Sequence, residues 1–501
     1  MRSRARRRAA AGLDRQLDAL EARARRVFAI AGFRPGQRDI LAGVLAGHDV
    51  IGILPTGAGK SLCFQLPALV LPHTVVVVSP LLALIHDQHA KLDDRGIDAT
   101  HLDSTLRAGG ERAAIEEVSA GLHRIVYVTP ERLEKPETLD ALTAGGVSLL
   151  VVDEAHCVSQ WGHDFRPAYL SIRDAVRALG RPPVLALTAT ATQDVRDDVT
   201  RQLALTEPLV VDGGTVRPNL RFEVARTVND DVKRARLFEL LEDTPRGTVI
   251  VYTATVRAAD EVWAHLGTQG VSVGRYHARL PAASRRDAQD RFMSGNTRVM
   301  VATKAFGLGI DKPDIRLVAH YHVPDSLESY QQEAGRAGRD GALARAVLLY
   351  RLEDRRIQTY FLGVRYPRRS DSLSVFRVLG ESPEAVPGGA GLTLADLAER
   401  AGLPSKRVRV VVAQLAGAGI VARGRRLHVI RAIARDDELE QLLAEYESRH
   451  GTDRDRLDAM TGYAESTRCR PRILREYFGE QDVAPCGLCD NCNDPLSPAR
   501  V

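Results

Sequence analysis

Short runs of consecutive apolar residues recur along the first 350 positions of the chain, and longer amphipathic stretches separate them. The clearest runs are "VVVVS" (75–79), "IVYV" (125–128), "SLLVV" (148–152), "VLAL" (184–187), "VIVY" (249–252) and "VMVA" (299–302). Strands that are apolar on both sides are buried on both faces, which is typical of parallel sheets covered by crossover helices. The pattern therefore predicts two α/β lobes, over residues 27–212 and 213–363.

The pattern changes after residue 363. Turn residues predict a linker over 364–390. The stretch that follows predicts helices at 393–401 and about 405–416 and a short strand pair around Gly424, an order typical of a helix-turn-helix with a wing. The remaining expected segments are a basic N-terminal segment (1–26), a winged-helix-like module (391–432), a cysteine-bearing module (433–495) and a tail (496–501).

Composition places the chain among multi-domain globular proteins, since it has 501 residues of which 44% are hydrophobic. Its apolar runs fall short of the roughly 18 residues that span a membrane, and its basic start has no apolar signal core. We therefore expect a cytoplasmic protein without a membrane partner. The net charge of +5 only weakly favours a polyanionic partner, because seven of the 69 basic residues are lysine and arginine runs carry little information here.

A glycine-rich stretch, "LPTGAGKSLCFQ" (54–65), follows the apolar run "DVIGIL". Glycine lets backbone N–H groups turn toward an anion, and a following helix adds its positive end. Lys60 would then reach the β- and γ-phosphates of a nucleotide, and the Ser61 hydroxyl would bind Mg²⁺. Leu54 stands where the common motif has glycine, and the alternative is an ordinary turn before a helix. The candidate residues are Thr56, Gly57, Gly59, Lys60 and Ser61.

Two carboxylates end a predicted strand in "LLVVDEAH" (149–156). Asp153 would bind Mg²⁺, and Glu154 would orient and deprotonate the water that attacks the γ-phosphate, because phosphoryl transfer depends mainly on positioned charge. His156 would report the nucleotide state to neighbouring segments. The alternative is a solvated strand end.

Two arginines three residues apart mark the second lobe, in "QQEAGRAGRD" (331–340). At that spacing Arg336 and Arg339 are expected on one helix face. Arginines across a cleft from a γ-phosphate would stabilise the charge of the transition state. A solvated basic helix turn is the alternative.

Four of the six cysteines cluster near the C-terminus with the spacing C-x16-C-x2-C-x2-C: Cys469, Cys486, Cys489 and Cys492. Clustered cysteines in a cytosolic chain favour a metal over disulfides. Four thiolates suit tetrahedral Zn²⁺, and an iron–sulfur cluster is the alternative.

Taken in order, these motifs resemble superfamily 2 helicases, and within them the RecQ family of DNA helicases. The segments "SPLLALIHDQ" (79–88), "YVTPERL" (127–133), "LTATAT" (187–192), "GRYHARL" (274–280) and "VATKAFGLGIDKPD" (301–314) match the family's order, and "YFGE…PCGLCDNC" resembles its zinc module. The resemblance implies two tandem RecA-like parallel-sheet lobes, a winged-helix-like module and a C-terminal zinc-binding module. It also implies ATP, Mg²⁺ and Zn²⁺ as cofactors.

Two further sets of residues come from the resemblance. "FRPGQRDI" (33–40) is similar to the family's adenine-recognition motif and implies Arg34 and Gln37 as base contacts, with Ile30 where the family has a stacking tyrosine. "DEAHCVSQWGHDFRPAY" (153–169) is similar to its aromatic-rich loop. That loop combines stacking rings with cations, as single-stranded DNA requires, and the alternative is a core Trp and Phe. The implied coupling residues are Trp161, Phe165 and Arg166.

The module order departs from the common family layout, in which the zinc module follows the second lobe directly and a winged helix comes after it. Here about 80 residues, including the winged-helix-like segment, are expected before the zinc module, and the family's later winged helix and helical domain are expected to be absent. Lys406, Arg407 and Arg409, with Arg423, Arg425 and Arg426 in the wing, suit the phosphates on the two sides of a groove. A protein-contact role is the alternative.

The sequence therefore predicts an ATP-dependent 3′→5′ DNA helicase of recombination and repair that acts on single-stranded and forked duplex DNA. We expect it to be a nucleoid-associated monomer that meets single-stranded-DNA-binding or repair proteins. Two other functions stay open, an RNA helicase of the same superfamily and a winged-helix DNA-binding regulator that uses ATP as a switch.

Overall fold

A computed structural model describes residues 2–80, 82–103, 105–106, 108–159, 166–214, 216–307, 310–366, 368–386, 389–417, 419–422, 426–430 and 436–493. The chain divides into two compact units. One contains the residues up to Arg351 together with those from Tyr463 onward, and the other is Leu352–Gly462. Within the described ranges, every helix is too short or too polar to cross a membrane.

The first lobe is built on a seven-stranded sheet. Its strands are β1 (Val50–Ile53), β2 (Thr74–Val78), β3 (Ala99–Leu102), β4 (Ile125–Val128), β5 (Val147–Val152), β6 (Val184–Thr188) and β7 (Leu209–Asp212). All pairings are parallel, in the order β3-β4-β2-β5-β6-β1-β7. Strand β1 is next to the edge strand β7 and lies between β6 and β7, with Val50 opposite Leu185 and Leu209. The segments that leave the carboxyl ends of β1, β5 and β6 therefore meet at one edge of the sheet.

Helices cover both faces of this sheet. They are α1 (Arg2–Phe28), α2 (Gln37–Leu45), α3 (Leu62–Ala68), α4 (Leu82–Asp93), α5 (Ala108–Ser119), α6 (Pro130–Leu133), α7 (Pro136–Gly145), α8 (Ile172–Ala178) and α9 (Gln193–Gln202). The basic N-terminal segment is part of α1. Its apolar side chains Leu17, Leu20 and Ala24 are buried against Leu41 of α2 and Leu66 of α3, so this segment belongs to the first lobe.

The second lobe repeats the architecture with six parallel strands in the order β10-β11-β9-β12-β13-β8. The strands are β8 (Leu220–Arg226), β9 (Thr248–Tyr252), β10 (Val273–Tyr276), β11 (Val299–Ala302), β12 (Ile315–His320) and β13 (Ala344–Tyr350). The helices are α10 (Asp230–Glu242), α11 (Val256–Thr268), α12 (Ala282–Met293) and α13 (Leu327–Ala334). Each of the six apolar runs of the sequence forms a strand, and the prediction of two α/β lobes is confirmed.

The second unit is helical. It contains α14 (Arg355–Arg365), α15 (Arg369–Glu381), α16 (Leu394–Ala401), α17 (Ser405–Gly417), the antiparallel pair β14 (Val421–Ala422) and β15 (His428–Val429), and most of α18 (Asp436–Glu465). The predicted helix–turn–helix and strand pair are present. The linker prediction for 364–390 was wrong, because α15 buries Val375 and Leu379 in the core of this unit. These apolar residues are four apart and share a helix face, a period that the surrounding turn residues obscured.

The cysteine-bearing segment packs against β8, the strand at one edge of the second sheet. After α18 it contains α19 (Arg470–Tyr477) and α20 (Asp490–Asn493). The Asp490 carboxylate accepts a hydrogen bond from the backbone N–H of Val224 in edge strand β8 (2.8 Å) and faces Arg470 (3.0 Å). Tyr350 donates to the Glu465 carboxylate (2.6 Å). The segment thus shields a strand edge that would otherwise offer unpaired backbone groups.

A buried carboxylate fixes the start of β1, the strand that leads into the glycine-rich loop. Asp49 accepts hydrogen bonds from the backbone N–H groups of Val184 (2.9 Å) and Thr206 (2.7 Å) and from the guanidinium of Arg181 (2.7 Å). Burial acts to raise the pKa of Asp49, but these donors outweigh it and hold the pKa below its usual value. The ionised carboxylate therefore ties β1 to the start of β6 and to the segment before β7.

Replacing Asp49 with Asn should destabilise the protein by about 2 kcal/mol at pH 7, because each hydrogen bond to a charged group contributes roughly 1.5–3 kcal/mol. The folded pKa lies below the unfolded one, so this stability is present above the unfolded pKa and is lost as the pH falls through the folded pKa. Urea unfolding followed by circular dichroism should show a gap between wild type and Asp49→Asn that closes on acidification. Asp140→Asn, a change at an exposed position of α7, is the control and should unfold like wild type.

Candidate functional site

The glycine-rich loop lies at the carboxyl end of β1 and has the conformation that the sequence predicts. Gly57 (φ 82°) and Gly59 (φ 83°) are in the left-handed region, which side chains rarely permit. Ser61 immediately precedes the first residue of α3. Thr56, Lys60 and Ser61 line the same cleft of about 740 Å³ as the two glycines.

Gln37 and Arg34, expected to contact a base, both hold this loop in place. The Gln37 amide donates to the carbonyls of Ala58 and Gly59, each at 3.0 Å, and Arg34 donates to the carbonyl of Gly57. A Cβ on Gly59 would lie 2.8 Å from the Gln37 amide nitrogen, so this position requires glycine. Both side chains also line the cleft, and their contact with a base stays a prediction.

The two carboxylates stand at the carboxyl end of β5, on the same sheet edge as the loop. Asp153 is only 9% exposed, and burial together with the adjacent charge of Glu154 raises its pKa to about 7. Glu154 has a left-handed backbone (φ 49°), and its buried Oε2 makes no hydrogen bond to the described residues. Buried polar atoms normally have partners, so this pair fits a site that receives a cation and a polar ligand.

A buried hydrogen-bond relay leads away from these carboxylates. The Nδ1 of His156 lies 3.0 Å from the Thr188 hydroxyl at the end of β6, and that hydroxyl donates to the carbonyl of Thr190 (2.9 Å). The same ring nitrogen is 3.5 Å from the Glu154 carboxylate. His156 thus connects the second carboxylate with the segment "LTATAT" (187–192), and its role in reporting the nucleotide state stays a prediction.

The arginines of the second lobe lie in a loop, and the prediction that they share a helix face was wrong. Helix α13 ends at Ala334, and residues 335–340 form turns. Gly338 is left-handed (φ 62°), and its N–H donates to the carbonyl of Ile315 (2.8 Å). A left-handed residue cannot continue a right-handed helix, so Arg336 and Arg339 are placed by this turn instead.

Both arginines still reach the nucleotide cleft. A Cβ on Gly57 would lie 2.8 Å from Cγ of Arg339, so the stem of this arginine runs directly over the phosphate loop. Arg336 is 4% exposed. The Nε atoms of both arginines are buried without a hydrogen bond among the described residues, which leaves donor capacity for a bound anion.

Two residues that the sequence analysis missed hold this arginine loop. Arg217 donates to the carbonyls of Gly335 and Gly338, both at 2.8 Å, and to that of Ala337. Asn219 donates to Gly338 as well (2.8 Å). Burial, together with the charges of Arg339 and Arg34, lowers the pKa of Arg217 to about 10. The segment "VRPNL" (216–220) gave no signal, because a lone arginine is unremarkable in this chain.

An ion-pair bridge joins the lobes at the cleft. Asp311 of the second lobe pairs with Arg339 (2.8 Å) and with Lys91 of α4 in the first lobe (3.2 Å). At another wall the guanidinium of Arg95 stacks over the ring of Phe28 (5.5 Å). Phe28 lines the cleft two residues before Ile30, so it supplies an aromatic surface that the motif comparison did not identify.

The four clustered cysteines converge. Their sulfur atoms lie within 4.8 Å of one another, with Cys486 and Cys492 at 3.9 Å and Cys469 and Cys489 at 4.0 Å. These distances are too long for disulfides and close to the ~3.8 Å separation of sulfurs around tetrahedral Zn²⁺. Burial acts to raise the pKa of Cys486, but the N–H groups of Leu488 and Cys489 lower it below its usual value. The cluster therefore fits a tetrathiolate metal centre.

Comparisons with known proteins agree with this geometry. The DEAD/DEAH box helicase model matches residues 34–198, the helicase conserved C-terminal domain 232–341, and the RecQ zinc-binding model 429–493. The probable ATP-dependent DNA helicase RecS of Bacillus subtilis is 38% identical over 359 residues, which cover 71% of this chain and 72% of RecS. The chain belongs to the RecQ family. The cysteine cluster is its zinc centre, and the iron–sulfur and disulfide alternatives are set aside.

Longer alignments extend over nearly the whole chain. The ATP-dependent DNA helicase RecQ of Bacillus subtilis is 34% identical over 93% of this chain and 66% of its own length, and that of Pasteurella multocida is 32% identical over 96% and 62%. This RecQ-family chain therefore spans about two thirds of the length of those relatives.

Solved structures support the fold. The helicase MrfA bound to DNA superposes with a TM-score of 0.56 at 19% identity, covering 82% of this chain and 62% of that chain. The helicase Lhr of Mycobacterium smegmatis, bound to ssDNA and AMP-PNP, gives 0.53 at 20% identity, covering 83% and 60%. At these identities the RecQ-family chain shares the arrangement of two RecA-like lobes with them.

Some expected residues lie outside the described part of the chain. These are Trp161 and Phe165 of the aromatic-rich loop, and Arg423 and Arg425 of the wing. Arg166 of the same loop is described, and its side chain donates to the carbonyl of Pro80 (3.2 Å).

Changing Cys486 to Ser should lower the zinc content from one ion per chain toward zero and loosen the cysteine-bearing segment, because metal binding supplies much of the folding free energy of such modules. Elemental analysis and limited proteolysis measure the two effects. Cys63→Ala, at a buried thiol outside the cluster, is the control. Full zinc retention by Cys486→Ser would contradict the assignment of this ligand.

Proposed function

We propose that this protein is an ATP-dependent DNA helicase that moves 3′→5′ along single-stranded DNA and separates duplex or forked DNA. Family membership supports DNA as the substrate, and the resemblance to RecQ proteins supplies the polarity and the role in recombination and repair. Single-stranded-DNA-binding and repair proteins at the nucleoid are the partners that such a role would bring.

The observation that carries the proposal is the close approach of Arg339 to Gly57. An arginine of one lobe lies over the phosphate loop of the other, and the carboxylates of β5 line the same cleft. A nucleotide held there would contact both lobes at once. Hydrolysis would remove the charge that the second-lobe arginines face, so the interaction between the lobes would change in each cycle.

Each residue of the cleft has a chemical role in this proposal. Lys60 would contact the β- and γ-phosphates, and Ser61 and Asp153 would hold Mg²⁺, which supplies charge neutralisation at the phosphates when bound. Glu154, whose buried Oε2 makes no hydrogen bond within the described part of the chain, would orient the attacking water. Arg336 and Arg339 would stabilise the charge that develops on the transferred group.

The base would lie against the opposite wall. Phe28 with Arg95 stacked on it, and Arg34 and Gln37 beside the loop, form that wall. The ring of Phe28 offers a stacking surface where Ile30 does not. Hydrogen bonds of Arg34 and Gln37 to the loop carbonyls would couple base binding to the shape of the phosphate cradle.

Coupling to DNA is assigned to the aromatic-rich loop with Trp161, Phe165 and Arg166. These residues come shortly after Glu154 and His156 in the chain. Tyr169, the last residue of the loop, donates to the backbone carbonyl of Asp153 (3.0 Å). A DNA strand stacked on the loop would therefore affect the positions of Asp153 and Glu154. The wing arginines are proposed as contacts to duplex phosphates.

Strand displacement on 3′-tailed, 5′-tailed and forked substrates tests the function. We expect ATP-dependent unwinding of the 3′-tailed and forked DNA. Lys60→Ala should lower ATP hydrolysis at least about 10²-fold, since it removes a preorganised charge at the phosphates, while Lys135→Ala, an exposed lysine of the same lobe, should act like wild type. Stimulation of hydrolysis by RNA rather than ssDNA would favour the RNA helicase, and sequence-specific duplex binding without unwinding would favour the regulator.

Replacing Arg339 with Ala should reduce kcat for ATP hydrolysis by about 10³-fold with little change in nucleotide affinity, because the guanidinium acts on transition-state charge. Steady-state kinetics and binding of a non-hydrolysable analogue separate the two quantities. Arg246→Ala, an exposed arginine of the second lobe, is the matched control. A defect confined to affinity would make Arg339 a ground-state contact instead.

A further inference from the structure

Two histidines and an aspartate converge on the first lobe, away from the cysteine cluster. His86 lies on α4, His101 on β3, and Asp103 directly after β3. One ligand atom from each lies within 4.8 Å of the other two, and in the described part of the chain the cysteine cluster is the other such group. We call these three residues the histidine–aspartate cluster.

The distances within the cluster centre on one carboxylate oxygen. Oδ2 of Asp103 is 2.9 Å from Nε2 of His86 and 3.9 Å from Nδ1 of His101. That nitrogen of His101 is buried and makes no hydrogen bond to the described residues. A buried polar nitrogen normally has a partner, and 3.9 Å is too long for a hydrogen bond to this carboxylate oxygen.

Thr105 holds the Asp103 carboxylate in position through the oxygen that does not face the histidines. The other oxygen of Asp103, Oδ1, accepts hydrogen bonds from the backbone N–H (2.7 Å) and the hydroxyl (2.5 Å) of Thr105. These two bonds leave Oδ2 facing the imidazoles. Such second contacts orient metal ligands in proteins.

A third histidine on the same helix has its nitrogens engaged elsewhere. His89 stacks near the ring of His101 (5.2 Å between centroids). Its Nε2 lies 2.9 Å from the carbonyl of Ala99, and its Nδ1 lies 3.3 Å from the carboxylate of Asp93. His89 therefore packs beside the cluster without offering it a ligand atom, and it provides a matched control.

We propose that His86 Nε2, His101 Nδ1 and Asp103 Oδ2 bind a second divalent transition-metal ion, with zinc as the physiological candidate and water completing the coordination. Two imidazoles and one carboxylate favour Zn²⁺, Co²⁺ or Ni²⁺ over Mg²⁺ and Ca²⁺. Tetrahedral bonds of about 2.0–2.1 Å place ligand atoms roughly 3.3 Å apart. The distances from Asp103 Oδ2 to the two imidazole nitrogens, 2.9 Å for His86 and 3.9 Å for His101, lie on either side of this value.

Such an ion would link α4 to the end of β3. Helix α4 also carries Gln88, which accepts a hydrogen bond from Gln65 of α3 (2.8 Å), and Lys91, which pairs with Asp311 of the second lobe (3.2 Å). The ion would therefore steady a helix that forms a wall of the nucleotide cleft. Stabilisation should follow from binding to the folded state alone.

Cobalt titration of the untagged, full-length protein with zinc in the cysteine centre tests the proposal. We expect one further equivalent of Co²⁺ per chain, seen as visible d–d absorption without the thiolate-to-cobalt charge-transfer band. His86→Ala and His101→Ala should each weaken this binding by at least about tenfold, the lower end of the effect of losing an orienting contact at a metal. His89→Ala should bind like wild type.

A second measurement uses zinc itself. Added Zn²⁺ should raise the thermal unfolding midpoint of wild type and of His89→Ala, and should leave that of His86→Ala unchanged. Because His86 is exposed, this variant should fold normally, which circular dichroism can verify. Absence of the extra cobalt, equal affinity in His86→Ala, or a cobalt spectrum that carries only the thiolate band would each overturn the proposal.

Discussion

The close approach of the arginine loop to the phosphate loop is the constraint on which the rest of the structure depends. The Arg339 stem lies where a side chain at position 57 would have to be, so only glycine permits the two lobes to meet at this point. The Gly57 conformation that presents backbone groups to an anion is also the one that admits the partner arginine. One residue type thus satisfies two requirements, those of the nucleotide and those of the second lobe.

Several contacts serve this approach from a distance. Asp49 fixes the entry to β1, Gln37 holds the loop carbonyls, and Arg217 and Asn219 hold the arginine loop from behind. The zinc centre contributes indirectly, because its segment covers β8, the edge strand that follows Asn219 in the chain. Fixed polar groups of this kind require no reorganisation when charge develops, which is the physical basis of electrostatic catalysis.

The same cleft contains groups that lower the stability of the fold although the proposed chemistry requires them. Asp153 and the Oε2 atom of the adjacent Glu154 are buried, and Glu154 also has a left-handed backbone. Backbone strain and buried charge are unfavourable by themselves, and a bound cation and phosphate would offset that cost. Asp311 forms ion pairs with both Lys91 and Arg339. Nucleotide binding would therefore exchange one set of ion pairs of Arg339 for another.

The sequence by itself determined the two sheets, the phosphate loop, the carboxylates and the cysteine ligands. Each depends on local order along the chain, such as runs of apolar residues, glycines at fixed offsets, or closely spaced thiols. The sequence did not predict helix α15, because its buried apolar positions are few and turn residues flank them. Tertiary structure alone decided that Arg336 and Arg339 lie in a turn, since a hydrogen bond from the left-handed Gly338 to the distant Ile315 fixes the turns that follow the end of α13. It also decided that Arg217 contacts the arginine loop, that Phe28 contacts Arg95 and that the histidine–aspartate cluster forms. The order of the strands brings these residues together, and their spacing in the sequence follows no pattern that would predict it.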